Sequence, residues 1–169
     1  YNEGDVQFFA DPAFLPQDYV YLPADENVYN QAVLYGPDGS IIQRTKKIYL
    51  SGDFENVLMD LSAGDMDDVK VFYLNGAQIG VTICLDVWYD EIIDALVDEG
   101  MNFLVQLSAN PKMWGHYSGL KSYWESDAWY SGIFQTVQEQ DEILFGVNSM
   151  LSGNLFEIPF DGQSSIIVN

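Results

Sequence analysis

The sequence predicts an α/β domain on a mixed sheet, and three stretches carry that prediction. Residues 78–83 form an apolar, partly β-branched run, the pattern of a buried strand. Beyond Cys84, the apolar residues Ile92, Ile93, Leu96 and Val97 recur at helical spacing, and Gly100 stops that helix. Residues 101–107 then read as a second buried strand. Hairpin signals ahead of this strand–helix–strand unit make the sheet mixed rather than uniform.

The other elements follow in order. Residues 1–27 are rich in aromatics and acids, and Pro12, Pro16 and Pro23 interrupt any long element, so an irregular lead-in is expected. Residues 28–35 alternate like a strand, Gly36-Pro37-Asp38-Gly39 turns the chain, and 40–46 return as its partner. An acidic loop over 51–68 contains Glu55. Asn75-Gly76 joins strands 69–74 and 77–83 by the turn most favourable to a hairpin. Turn formers and aromatics fill 108–119 as a loop, and 121–140 reads as a helix carrying Tyr123, Trp124, Trp129 and Phe134. Strands at 143–147 and 164–168 complete the list, the last preceded by an Asp161-Gly162 turn. No repeat, low-complexity tract or linker divides residues 1–169, so one domain is the economical reading.

Composition narrows the function classes. The chain has 26 acidic and 6 basic residues, a formal net charge of -20. Such a field disfavours nucleic acid and anionic membranes, which are bound through basic patches. No apolar run reaches the roughly 20 residues of a membrane span. One cysteine among 169 residues excludes an internal disulfide and leaves the compartment open, with the cytoplasm favoured only slightly. Neither a Cys/His cluster nor a Gly-rich phosphate loop is present, so no metal or cofactor is expected.

The cysteine is the place to look for chemistry. Cys84 sits at a strand-to-helix corner, where a helix N-terminus favours the thiolate. The competing reading is a buried structural thiol. Lys47 ends the 40–46 strand, and alternation lets only one of Lys46 and Lys47 face a pocket. Glu55 is either a site carboxylate or part of a solvated acidic surface. Asp86 is expected to cap the helix. Trp88, Tyr89, Trp114 and Tyr117 are core or pocket wall, and His116, the sole histidine, reads as a surface loop residue.

These landmarks, in order, resemble the nitrilase superfamily of carbon–nitrogen hydrolases. Tyr29-Asn30 with Gly36-Pro37-Asp38-Gly39 is similar to the family's early hairpin. Lys46-Lys47-Ile48-Tyr49-Leu50 is similar to its lysine motif, and Gly80-Val81-Thr82-Ile83-Cys84-Leu85-Asp86 to its cysteine motif. Asn148 and Phe160-Asp161-Gly162-Gln163-Ser164 resemble the late landmarks.

The resemblance implies an α-β-β-α sandwich, here incomplete at the N-terminus and at the C-terminus. It implies Cys84 as nucleophile, Lys47 as catalytic lysine, Glu55 as a supporting glutamate and the Leu85 backbone N–H as an oxyanion donor. Trp88, Tyr89, Asn110 and Trp114 would then line the substrate pocket. The implied reaction is hydrolysis of a small-molecule amide through a thioester, and Cys-Leu-Asp is closer to the amidase branches than to true nitrilases. Homo-oligomers are common in the family.

Departures are equally visible. Nothing between Tyr1 and Asn27 matches the family's first catalytic glutamate; Glu3 and Glu26 are the only glutamates there, and neither follows an apolar strand ending in proline. Thr136-Val137-Gln138-Glu139 keeps the glutamate of a late motif and loses its arginine, and Asp90 stands where relatives carry proline. Two alternatives follow: an inactive domain that binds a ligand or partner, and an acyltransferase of the same superfamily.

Overall fold

The structure, a computed structural model, describes residues 6–9, 20–23, 25–115, 117–118, 123–155 and 157–169. Within the expected irregular lead-in, β1 (Val6–Phe9) and β2 (Val20–Pro23) pair antiparallel. Pro23 lies on an edge strand of this two-stranded sheet, where the missing N–H costs little. The next hairpin is as expected, with β3 (Gln31–Tyr35) against β4 (Ile41–Lys46). Gly39 takes the turn's positive φ of 82°.

The segment expected as an acidic loop is more ordered than its composition suggests. Gly52–Leu58 forms a π-helical turn, and Met66–Asp68 a single 3-10 turn. Asp65 and Asp68 cap that second turn reciprocally, each side chain accepting a backbone N–H.

A five-stranded sheet follows. β5 (Phe72–Leu74) turns through Asn75 and Gly76, both at positive φ, into β6 (Ala77–Ile83). The helix expected directly after the cysteine starts later: Cys84–Trp88 is a 3-10 turn, and α1 (Asp90–Asp98) begins beyond it. An extended Tyr89 separates the two. Gly100, at φ 88°, ends α1, its N–H reaching the Val97 carbonyl while Met101 N–H reaches that of Leu96. β7 (Phe103–Ser108) lies parallel to β6.

The expected 121–140 helix is shorter and has strands before it. β8 (Tyr117–Ser118) pairs with β9 (Tyr123–Trp124), and α2 runs over Glu125–Glu139. β10 (Phe145–Met150) pairs parallel with β7, and β11 (Ser152–Leu155) and β12 (Ile158–Asp161) form an unanticipated hairpin. β13 (Ser165–Val168) pairs antiparallel with β10 and gives the sheet order β13-β10-β7-β6-β5. Parallel strands sit in the centre and antiparallel ones at both edges, which is the mixed sheet expected.

Helical faces supply the core. Ile92, Ile93 and Leu96 of α1 and Ile133 and Val137 of α2 pack with Met101, Leu104 and Ile143 in one cluster of buried residues. Gly80 and Gly146 let the layers approach: a Cβ at Gly80 would strike Leu96 and Met101, and one at Gly146 would lie 2.6 Å from Val137. On β6 and β7, Val81, Val105 and Leu107 line an apolar groove with Ala32, Val33 and Leu34 of the β3–β4 hairpin. Among the described residues no helix is long and apolar enough to cross a membrane.

Candidate active site

Strand alternation decides between the two lysines. Lys46 turns outward, where it meets Asp68 at 3.4 Å and lies 4.4 Å over the Tyr29 ring. Lys47 turns inward, is 1% exposed, and its backbone N–H donates to the Asn30 carbonyl at 2.8 Å. A buried ammonium needs a partner, and Glu55 provides it in a buried ion pair.

The wide turn at 52–58 is what delivers that carboxylate. Glu55 N–H donates to the Ser51 carbonyl, and Ser51 N–H donates back to Glu55 Oε2 at 2.8 Å. Asn30 Nδ2 donates to the other oxygen at 2.6 Å. Burial pushes the Glu55 carboxyl up, but hydrogen bonds from Lys47, Ser51 and Asn30 outweigh it and hold the group below its ordinary range.

Cys84 follows β6 with φ 55°, a left-handed conformation uncommon in a residue with a side chain. The backbone N–H groups of Leu85 and Ala109 lie near enough to favour its thiolate form. Gln106, fully buried on β7, donates through Nε2 to the Cys84 carbonyl at 3.4 Å. The expected lowering of the thiol's pKa is reversed. Burial pushes it up, the Lys47 charge pulls it down, Glu55 opposes that pull, and the two N–H groups lower it; burial prevails. The helix whose dipole would have stabilised a thiolate starts only at Asp90.

Asp86 does not cap α1 as expected, because that helix starts only at Asp90 with Tyr89 at its N-cap; it serves as a clasp instead. Its carboxylate is 2% exposed and accepts from Tyr49 N–H at 2.9 Å and from Ile48 and Ile83 N–H, both at 3.3 Å. One side chain thus fastens the backbone just after Lys47 to the backbone just before Cys84. Its burial raises the carboxyl's pKa despite those three donors. No sequence pattern pointed to this clasp, because two of its three partners lie 37 and 38 residues away.

Lys47, Glu55, Cys84, Leu85 and Asn110 all line one cavity of about 690 Å³. Its apolar wall includes Phe54, Leu107, Trp129 and Phe160. Three residues expected at that wall pack elsewhere. Trp88 meets Trp129 edge-on and covers Gly132. Tyr89 stacks on Tyr49. Trp114 is buried against Tyr130, its backbone N–H donating to Asp161 Oδ1 at 2.8 Å. The 3-10 turn after Cys84 is what carries 88 and 89 away from the cavity. His116 and the Tyr117 side chain lie outside the described residues.

Glu125 also lines the cavity and was not anticipated. It is 4% exposed, accepts from Asn110 Nδ2 at 3.5 Å and pairs with Lys112 Nζ at 3.2 Å. In the sequence it is one acid among 26, at a helix start where acids are ordinary. Among the described residues, no group of three or more His, Cys, Asp or Glu side chains is placed to hold a metal ion.

The carbon-nitrogen hydrolase family model matches residues 15–158. A carbon-nitrogen hydrolase from Helicobacter pylori G27 superposes with a TM-score of 0.68 at 21% identity, over 83% of this chain and 49% of that one. Nit3 of Saccharomyces cerevisiae, described as a member of branch 10 of the nitrilase superfamily, gives 0.63 at 18% identity, over 98% and 51%. An amidase variant from Nesterenkonia sp. AN1, solved after Michael addition of acrylamide at its active-site cysteine, gives 0.59 at 18%, over 82% and 48%. The chain therefore spans about half the length of the solved structures it matches. No curated protein sequence matches it. The solved structures share the α/β fold, and the family match over most of the chain leads to one conclusion: this chain belongs to the carbon-nitrogen hydrolase family.

Proposed function

We propose that the chain acts on a small-molecule amide, with Cys84 as nucleophile, Lys47 as the positive group for the oxyanion and Glu55 as the carboxylate that orients Lys47. The observation that carries this is the convergence of a thiol and a buried Lys–Glu pair on one cavity. Cys84 Sγ attacks the carbonyl carbon, and the developing oxyanion is met by Lys47 Nζ and the Leu85 backbone N–H. Collapse breaks the C–N bond and leaves a thioester, with the leaving nitrogen departing as ammonia after taking a proton. Water then adds to the thioester carbonyl, giving the carboxylic acid and restoring the thiol.

A raised thiol pKa means that Cys84 must hand its proton to a base as it attacks. Glu55 is the carboxylate at hand, and its ionised form is already engaged by three donors, which makes it a weak base. This supports a second reading, in which the same cavity binds a ligand without turning it over.

The deciding experiment follows ammonia release from short amides, with intact mass measured in parallel. Turnover lost in Cys84→Ser, with an acyl adduct on the wild-type chain, supports hydrolysis. Binding of an amide without ammonia or adduct supports the inactive domain. Ammonia release accompanied by an N-acyl product of an added amine, in place of the free carboxylic acid, would indicate acyl transfer instead.

A further inference from the structure

One row of the sheet breaks the apolar pattern beneath the helices. Gly80, Leu104, Gly146 and Ile167 stand side by side on β6, β7, β10 and β13, and Gly80 and Gly146 there face Leu96 and Val137. One step farther along the same face, Thr82, Gln106, Asn148 and Ser165 stand side by side in register. Thr82 is 1% exposed, and Gln106 and Asn148 are fully buried.

Among the described residues, Thr82 Oγ1, Gln106 Oε1, both polar atoms of the Asn148 amide and Ser165 Oγ have no hydrogen-bond partner. Only Ser108 Oγ and Ser126 Oγ share that condition among the buried side-chain atoms described. Ser108 follows Gln106 by two on the same face of β7. Ser126 is fully buried on the α2 stripe that carries Ile133 and Val137. The seven atoms thus belong to one layer between α2 and the sheet. Natural interiors seldom leave so many polar atoms together without partners, because each costs its full desolvation. Turning the Asn148 amide over changes nothing, since both of its ends are unpartnered. Spacing favours a bridge: neighbouring strands lie about 4.8 Å apart, and one water making two bonds of about 2.8 Å spans that gap.

We propose that this row is an internal water-binding site, with ordered waters bridging Thr82, Gln106, Asn148 and Ser165, and that it opens on the cavity at Ser108. Seven atoms, at about three bonds per buried water, call for about two or three waters. Ser108 supplies the opening, for it lines the cavity together with Cys84. The pairing of Ile83 with Leu107 brings the ends of β6 and β7, and so these two residues, to the same place. Gln106 ties the row to the same corner, since its Nε2 donates to the Cys84 carbonyl. The waters therefore stand behind the cysteine, on the protein side of the cavity. The inference goes beyond amide hydrolysis and holds whether Cys84 turns a substrate over or only faces one.

Magnetic relaxation dispersion of the water oxygen counts long-lived internal waters in solution and is the test, made on the full chain. Asn148→Leu exchanges the amide for an apolar group of similar size and is expected to lose about two such waters relative to wild type. An unchanged count in folded Asn148→Leu overturns the proposal, as does a crystal structure in which the Gln106 and Asn148 amides bond each other across a dry row. Should Asn148→Leu fail to fold, Thr82→Val, which exchanges a hydroxyl for a methyl, must lose about one water. No loss there overturns the proposal equally.

Carbamidomethylation of Cys84 by iodoacetamide tests the opening, because it places a group in the cavity beside Ser108. The row's waters are then expected to reside longer, and an unchanged residence time overturns the opening. Neither readout uses ammonia release, so failure of the water site and failure of the hydrolytic reading are separate results.

Discussion

At the level of single residues the decisive fact is that Lys47 is buried and charged, and so depends on Glu55. Breaking a buried pair from one side leaves the other charge uncompensated, at a cost of about 3–5 kcal/mol, whereas replacing both partners by apolar groups is often close to neutral. Lys47→Met is therefore expected to lower stability in urea unfolding by about that amount, and Lys47→Met with Glu55→Leu to regain most of it. A double variant no more stable than the single one would mean that the hydrogen bonds from Asn30 and Ser51, not the pair, hold Glu55. The same pair sets an acid limit. Because Glu55 titrates below its ordinary value when folded, its contribution is complete above about pH 4.5 and fades as pH falls through the lowered value.

Among the elements, the strand ends that present Lys47 and Cys84 to the cavity are joined by Asp86 rather than by any strand pairing. Removing a buried charged acceptor of three N–H groups orphans donors on both segments. Asp86→Ala is expected to cost about 2–3 kcal/mol in chemical unfolding. It should also slow alkylation of Cys84 at fixed pH, since Lys47 and the cysteine corner would no longer share an anchor. Loss of stability with unchanged reactivity would confine Asp86 to a purely structural role.

Elements also show what could be read from the chain alone. The Asn75-Gly76 hairpin, the α1 face and the central strands were legible because turn chemistry and periodicity are local signals. The β11–β12 hairpin was not: every residue of β11 is exposed, so no alternation marks it. Cys84, Lys47 and Glu55 could be found by motif, and the structure brings all three to one cavity. Glu125 and the Asp86 clasp could not, since both act through contacts distant in sequence. Trp88 and Tyr89 misled because an extended residue and a 3-10 turn intervene where a continuous helix was expected.

For the molecule as a whole, the net charge of -20 is the dominant unspecific term. Self-repulsion of that size opposes the compact state and is screened by salt. Raising ionic strength is expected to raise the Tm, by about 2–4 °C for each kcal/mol recovered in a chain of this length. A Tm that falls with added sodium chloride would show that paired charges, such as Lys46 with Asp68, outweigh the repulsion.

The register of the sheet has a further consequence. β6 and β7 run parallel with Ile83 opposite Leu107, so Cys84 and Ala109 both emerge just past the same margin of the sheet. Asn75-Gly76 and Gly100 occupy the opposite margin, where the turns serve only to reverse or restart the chain. The protein thereby keeps its candidate site and its tight turns on separate borders. Variation accumulating along the first border can retune what the cavity accepts while the core stays as it is. Variation along the second is felt by the architecture alone, and such a division lets one scaffold serve many substrates over evolutionary time.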